Sequence, residues 1–237
     1  MKITQIGMIY QLTFFPHVFP VNVYIIEEKT SLTLIDAGIP ISLKGILKTA
    51  DKIGKPLDRI VLTHAHSDHI GSLESLKQAL PNAKVYISKR ENQILLGDLS
   101  LNPSEPQVPI KGGVPKKSIM SADVLLEDGD AIESLTSIYV PGHTPGMMAF
   151  LDRRSNSLIV GDAFQLRGGI AVAGKLVPTF PFPSLATWNK ELAILSAEKL
   201  LQYEPTLLAT GHGSMLKNPV DAMKKAISDA KIAINKD

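Results

Sequence analysis

The chain has 237 residues, 44% of them hydrophobic and 20% charged, with 17 Gly and 16 Pro; this excludes disordered, collagen-like and coiled-coil chains and leaves an ordinary globular protein of one large domain or two small ones. Cysteine is absent, so a disulfide framework, a thiolate nucleophile and Cys-ligated zinc or iron–sulfur sites are excluded, and any metal must be held by histidine and carboxylate. Net charge is only +2 and basic residues adjoin only at 89–90, 116–117, 153–154 and 224–225, which argues against a nucleic-acid partner.

The N-terminus lacks a signal-peptide pattern, and residues 8–26 are interrupted by Gln11, Pro16, His17, Pro20 and Asn22. The expectation is no membrane span and a cytoplasmic protein. Residues 23–26 and 32–35 read as paired strands around a polar turn. Leu43, Ile46, Leu47, Ala50 and Ile53 recur at helical spacing, and Gly54-Lys-Pro56 stops that helix. The short strand 59–63 runs straight into His64-Ala-His66-Ser-Asp68-His69, after which Ile70, Leu73, Leu76 and Leu80 start another helix. The histidine cluster is thereby placed on a strand-to-helix loop.

A strand at 85–87 is followed by Ser88 and Glu91 at capping-box spacing, opening a helix to Leu96. Residues 98–118 carry four prolines, Gly112-Gly113 and no periodicity, and read as a long loop of the kind that covers a site. Strands are expected at 124–126, 137–140, 147–151 and 158–160, with 164–186 irregular. Trp188, Leu192 and Leu195 share one face of a helix, 206–210 is a strand, and Asn218-Pro219 opens a C-terminal helix with Val220, Met223, Ile227 and Ile234 inward. With no repeat or linker, the reading is a single domain spanning 1–237, of α/β class with sheets at its centre.

Five of the six histidines fall in three short motifs: the cluster at 64–69, Pro-Gly-His143-Thr-Pro, and Gly-His212-Gly. Side chains two apart on extended backbone point the same way, so His64 and His66 can grip one ion while Asp68 and His69 reach toward a neighbouring point. Two adjacent ions are suggested. His143, Asp162 and His212 each follow a predicted strand beside glycine, which lets a turn bring them close to other backbone. His17, alone, is left out of the site.

Thr-His64-Ala-His66-Ser-Asp68-His69-Ile-Gly, Pro-Gly-His143-Thr-Pro-Gly, Val-Gly-Asp162 and Gly-His212-Gly together resemble the motifs of the metallo-β-lactamase superfamily over nearly the whole chain, and Leu-Ile-Asp36-Ala-Gly is similar to its first motif. The resemblance implies an αββα sandwich with a two-metal site along one edge. His64, His66 and His143 would hold the first ion and Asp68, His69 and His212 the second, with Asp162 bridging; the cofactors are then two zinc ions per chain, with iron or manganese as alternatives. Asp162 and the lack of cysteine depart from true β-lactamases, and the set is similar to that of glyoxalase II and the homoserine-lactone lactonases. Only 25 residues follow His212, too few for the glutathione-gripping helical domain of glyoxalase II, and Gln165 stands where the lactonases carry a tyrosine.

The function so implied is a binuclear zinc hydrolase that cleaves a small-molecule ester, thioester or lactone through a metal-bridging hydroxide. Asp68 is its catalytic proton carrier, and Asp36 and Thr63 orient imidazoles. The alternative is an oxidoreductase resembling persulfide dioxygenases, with one iron on His64, His143 and Asp162. A nuclease or a non-catalytic metal-binding protein ranks below both. The partner is a small-molecule substrate, with no nucleic acid and no membrane. Phe14, Phe15, Phe19, the 98–118 loop, Phe164, Phe180 and Phe182 are expected to line an apolar cleft.

Overall fold

Strands covered on both faces need continuous apolar runs rather than alternation. The computed structural model, which describes residues 1–117 and 119–235, uses the runs in that way. Its first sheet opens with four antiparallel strands, β1 (Lys2–Ile6), β2 (Ile9–Phe14), β3 (Val21–Glu27) and β4 (Leu32–Ile35). Three parallel strands follow: β5 (Leu57–Val61) after helix α1 (Leu43–Ile53), β6 (Lys84–Ser88) after α2 (Ser67–Ile70) and α3 (Leu73–Ala79), and β7 (Val124–Leu126) after α4 (Lys89–Leu95) and the long loop.

The second sheet contains β8 (Ala131–Ile132), β9 (Leu135–Tyr139), β10 (Met148–Asp152) and β11 (Ser157–Ile159) as antiparallel neighbours. A small hairpin, β12 (Phe164–Gln165) and β13 (Ala171–Val172), a short α5 (Phe182–Leu185) and α6 (Lys190–Leu201) intervene. Then β14 (Leu207–Ala209) joins parallel to β11, β15 (Leu216–Lys217) closes that edge, and α7 (Val220–Ile234) ends the described chain.

Side-chain alternation divides the interior into layers. Tyr24, Ile26, Ile35 and Val61 of the first sheet meet Leu135, Met148, Phe150 and Ile159 of the second. Val23, Ile25, Leu34 and Ile60 face the other way, onto Ile46 of α1, Leu76 of α3 and Ile94 of α4. Ile138, Ala149, Leu158 and Leu208 likewise face Ala193, Ala197 and Leu200 of α6 and Met223, Ala226 and Ile227 of α7. The result is the expected αββα sandwich. No helix among the described residues is long and apolar enough to cross a membrane.

Several local expectations are corrected. The hairpin β1–β2 has no counterpart among the expected strands, because Gln11 and Thr13 are buried polar residues whose hydrogen bonds run to Gly213 O, Tyr24 Oη and Asn22 Oδ1. The helix expected from Ile70 breaks between α2 and α3. Leu195 points to solvent, since α6 buries Ala193, Ile194, Ser196, Ala197 and Leu200 instead. Val220 and Ile234 are only partly buried on α7, whose inner face is Met223, Ala226, Ile227 and Ala230. The 98–117 stretch is a loop without strands or helices; Ser118, the last residue of the expected loop, lies outside the described residues.

Candidate metal centre

Parallel strands deliver their C-terminal ends to one edge, and here five such ends carry polar residues. β4 and β5 pair in parallel with Ile35 opposite Val61, and release Asp36 and the 63–69 segment. β11 and β14 pair in parallel with Ile159 opposite Ala209, and release Asp162 and His212. β9, antiparallel to β10 and so aligned with β11, releases the turn bearing His143. All seven sequence-predicted ligand residues therefore meet at one edge of the sandwich.

Three sets of ligand atoms lie within 4.8 Å of one another: His64, His66 and His143; Asp68, His69 and His212; and His64, His69 and Asp162. His66 Nδ1 stands 3.1 Å from His64 Nε2 and 3.0 Å from His143 Nε2. Asp162 sits between the groups, with Oδ2 3.2 Å from His212 Nε2 and 3.5 Å from His143 Nε2, and Oδ1 3.5 Å from His69 Nε2. Asp68 Oδ2 is 3.5 Å from His212 Nε2. The Asp68 side chain is 25% exposed and Asp162 only 4%, so of the two carboxylates that line the cleft Asp68 is the more open to it.

The outward ring nitrogens fix the tautomers. His69 Nδ1–H donates to Asp36 Oδ2 at 2.8 Å, His66 Nε2–H to Lys111 O at 2.9 Å, and His212 Nδ1–H to Pro20 O at 2.7 Å. Thr187 gives its single hydroxyl proton to Pro183 O, so at 3.1 Å it accepts from His143 Nδ1–H. Thr63 likewise gives its proton to Asp36 and accepts from His64 Nδ1–H at 2.9 Å. Each imidazole, in its neutral form, thus has its remaining lone pair pointing inward. Lone pairs at 3.0–3.1 Å repel, and a cation between them relieves that repulsion. His69 Nε2 and Asp162 Oδ1, both buried, have no hydrogen-bond partner, which is costly unless another group engages them. This donor set of nitrogen and carboxylate oxygen, without thiolate, fits a divalent metal cation.

Charge follows the same division. Burial, reinforced by the neighbouring imidazoles, lowers the His64 pKa well below the ordinary value and drives that of His143 down to about 3. Burial also disfavours a charged His69, but Asp36, Asp162 and Asp68 outweigh it and raise its pKa well above the usual value. Burial opposes ionisation of Asp162 too, and is overcome by His212 and His69, which hold its pKa well below the carboxylate range. One half of the centre is thus a neutral imidazole cage and the other is rich in carboxylate.

Close backbone approach explains two glycines. A Cβ on Gly211 would run into Asp162 Oδ1, and one on Gly112, which has φ +89°, would run into the His66 ring. Asp36, at φ +61°, also adopts the left-handed region, which aspartate tolerates better than most residues and which here turns its carboxylate toward Thr63 and His69.

The centre opens into a cleft of about 430 Å³ lined by Phe19, Gly112, Gly113, Phe182 and Leu185. Phe180 backs this wall, 5.1 Å from the Phe19 ring and 5.2 Å from His212. The other aromatic expectations fail. Phe14 packs in the outer core under α1, Phe164 packs against α6 and α7, and Phe15 projects into solvent. Gln165 is buried on β12 with its Oε1 unpaired, and is not among the residues lining the cleft. The sequence reading missed Lys111 O, Pro20 O and Thr187, which hold three of the five rings; two of these are backbone carbonyls, which leave no signature in side-chain identity.

A sequence model of the metallo-beta-lactamase superfamily matches residues 17–212. The chain is 55% identical to the uncharacterized protein YobT of Bacillus subtilis (strain 168), covering 98% of this chain and 99% of that one. It is 34% identical to the probable metallo-hydrolase YflN of the same strain, covering 81% and 80%. Among solved structures it is similar to the DIM-1 metallo-beta-lactamase, with a TM-score of 0.75 over 98% of this chain and 97% of that one at 17% identity, a likeness of fold alone.

Proposed function

The chain belongs to the metallo-β-lactamase superfamily, and from that premise we propose that it is a cytoplasmic binuclear zinc hydrolase of a small-molecule ester, thioester or lactone. The observation that carries the reading is the inward convergence of five imidazole lone pairs and two carboxylates, every ring held from outside by an acceptor of this chain. When bound, two such ions supply a water acidified toward neutral pH and a Lewis acid for the substrate carbonyl. His64, His66 and His143 would hold one, Asp68, His69 and His212 the other, with Asp162 between them.

The residues do the rest. Asp68 faces the cleft and takes the proton of the attacking water, then returns it to the leaving oxygen or sulfur. Asp36 and Thr63 keep His69 and His64 in the ligating tautomer. Phe19, Phe182 and Leu185 exclude water from one side of the reacting carbonyl. Past Ser67, Asp68 and Gly113 the cleft adjoins a groove of about 400 Å³ lined by Ile39, Pro40, Ile70, Val114 and Ile119, which suits a substrate with an apolar arm.

The test is elemental analysis of protein expressed in zinc-supplemented medium, followed by a panel of thioesters, esters and lactones. About two zinc ions per chain and turnover of at least one class are expected. A single iron per chain, with oxygen consumed on adding a persulfide, would overturn the reading in favour of an oxidoreductase.

A further inference from the structure

Helix α4 begins beside the three-imidazole group, and its first turn carries a carboxylate with no role so far. Glu91 is 0% exposed. In a capping box its side chain would turn back to the N–H of Ser88. Only half of that motif forms: Ser88 Oγ accepts the Glu91 N–H at 3.0 Å, while the carboxylate points away. Its Oε2 accepts the N–H of Ala65 at 2.9 Å, and its Oε1 accepts the N–H of Gly146 at 2.8 Å.

Those two donors are informative. Ala65 sits between His64 and His66, and Gly146 lies three residues beyond His143. One segment hangs from the first sheet and the other from the second, so a single rigid carboxylate spans the two halves of the three-histidine group. Ser88 adds a parallel tie by donating its hydroxyl to Gly146 O at 2.7 Å. Gly146 presses so closely on this turn that a Cβ there would stand 2.6 Å from Glu91 N. The neighbouring Arg90 holds Glu105 at 2.7 and 3.0 Å and Ser100 O at 2.8 Å, anchoring the loop whose Lys111 carbonyl orients His66. A buried carboxylate is costly, and a helix cap alone needs none.

We propose that Glu91 is a positioning residue for the three-histidine ion site, setting the spacing of the 64–66 and 143–146 segments and hence the affinity of that site. The inference rests on the metal reading above. Glutamine keeps the shape but offers one acceptor oxygen, so its amide NH2 faces one of the two N–H donors and that tie is lost. Glu91 bonds neither the 211–213 turn nor Asp68 or His69, so the effect falls on one ion of the two.

The experiment titrates zinc into the full chain against a chromophoric chelator and records the cobalt(II) absorption spectrum, for wild type, Glu91→Gln, Ser88→Ala and Glu28→Gln. Glu28 is a control: it is also buried, and its partners are Ser134 and Arg154, away from the histidine loops. Glu91→Gln is expected to weaken one of two ions by about 10-fold or more, the low end for an outer partner of a metal ligand, and to shift one cobalt band. Ser88→Ala should act in the same direction but less, and Glu28→Gln should lower Tm with both affinities intact. A folded Glu91→Gln that binds both ions as tightly as wild type overturns this inference alone. If that variant fails to fold, an unchanged Ser88→Ala overturns it. A wild type that binds no ion overturns the metal reading and this inference together.

Discussion

Replacing Asp36 by asparagine tests the outer hydrogen bonds most sharply, because the shape is kept while the acceptor count falls. Asp36 Oδ1 accepts the Thr63 N–H at 2.8 Å, and Oδ2 accepts His69 Nδ1–H at 2.8 Å and the Thr63 hydroxyl at 2.8 Å. The Thr63 amide can only donate, so the asparagine oxygen stays there and its NH2 faces His69. His69 must then accept at Nδ1 and carry its proton on Nε2, the nitrogen whose lone pair points at the centre in the wild type. The loss combines a charge-assisted hydrogen bond, about 1.5–3 kcal/mol, with an imidazole in the wrong tautomer. An affinity loss of about 10–100-fold, or about 1.4–2.8 kcal/mol, is expected at the Asp68–His69–His212 site. Zinc competition titration measures it, and nitrogen-15 shifts of the imidazoles report the tautomer directly. Wild-type affinity with His69 still protonated at Nδ1 would refute the reasoning.

Asp68→Asn should lower kcat by at least ~10²-fold with Tm little changed, and near wild-type turnover would remove Asp68 from proton transfer. Gly112→Ala forces a Cβ into the His66 ring at φ +89° and should cost more than about 1 kcal/mol of stability together with zinc affinity, read by thermal unfolding and chelator competition; an unchanged Tm would contradict the close packing of that loop. Burial opposes ionisation of Glu105, but the Arg90 guanidinium prevails and lowers its pKa below the ordinary 4.5. The pair therefore contributes stability in full above pH 4.5 and loses it as pH falls through the lowered value, so proteolytic cutting of the 98–117 loop should rise only below pH 4.5 and lose that dependence in Glu105→Gln.

The difference between the legible and the hidden parts of this molecule follows from range. Strands such as β3 and β4 and helix α1 declare themselves through residue spacing, since which face is buried is set by local periodicity. Leu195 misleads because its spacing fits a helix face, while the face α6 buries is chosen by packing on the second sheet and α7. β2 is masked by Gln11 and Thr13, residues whose polarity is satisfied by Gly213 far along the chain and by Tyr24 and Asn22 across the sheet.

By itself the sequence determined that a metal here must be held by histidine and carboxylate, because cysteine is missing, and it placed seven such residues after strands, because histidine clusters beside glycine are local facts. Tertiary structure alone decided which nitrogen of each ring points inward. That choice rests on acceptors from remote segments, Lys111 O and Pro20 O among them, and backbone carbonyls are the same in every residue. It also decided the role of Glu91, whose spacing from Ser88 announced a local cap. Burial between two loops gave its carboxylate the Ala65 and Gly146 amides instead, since buried amides left unpaired are costly and only the folded chain brings them within reach.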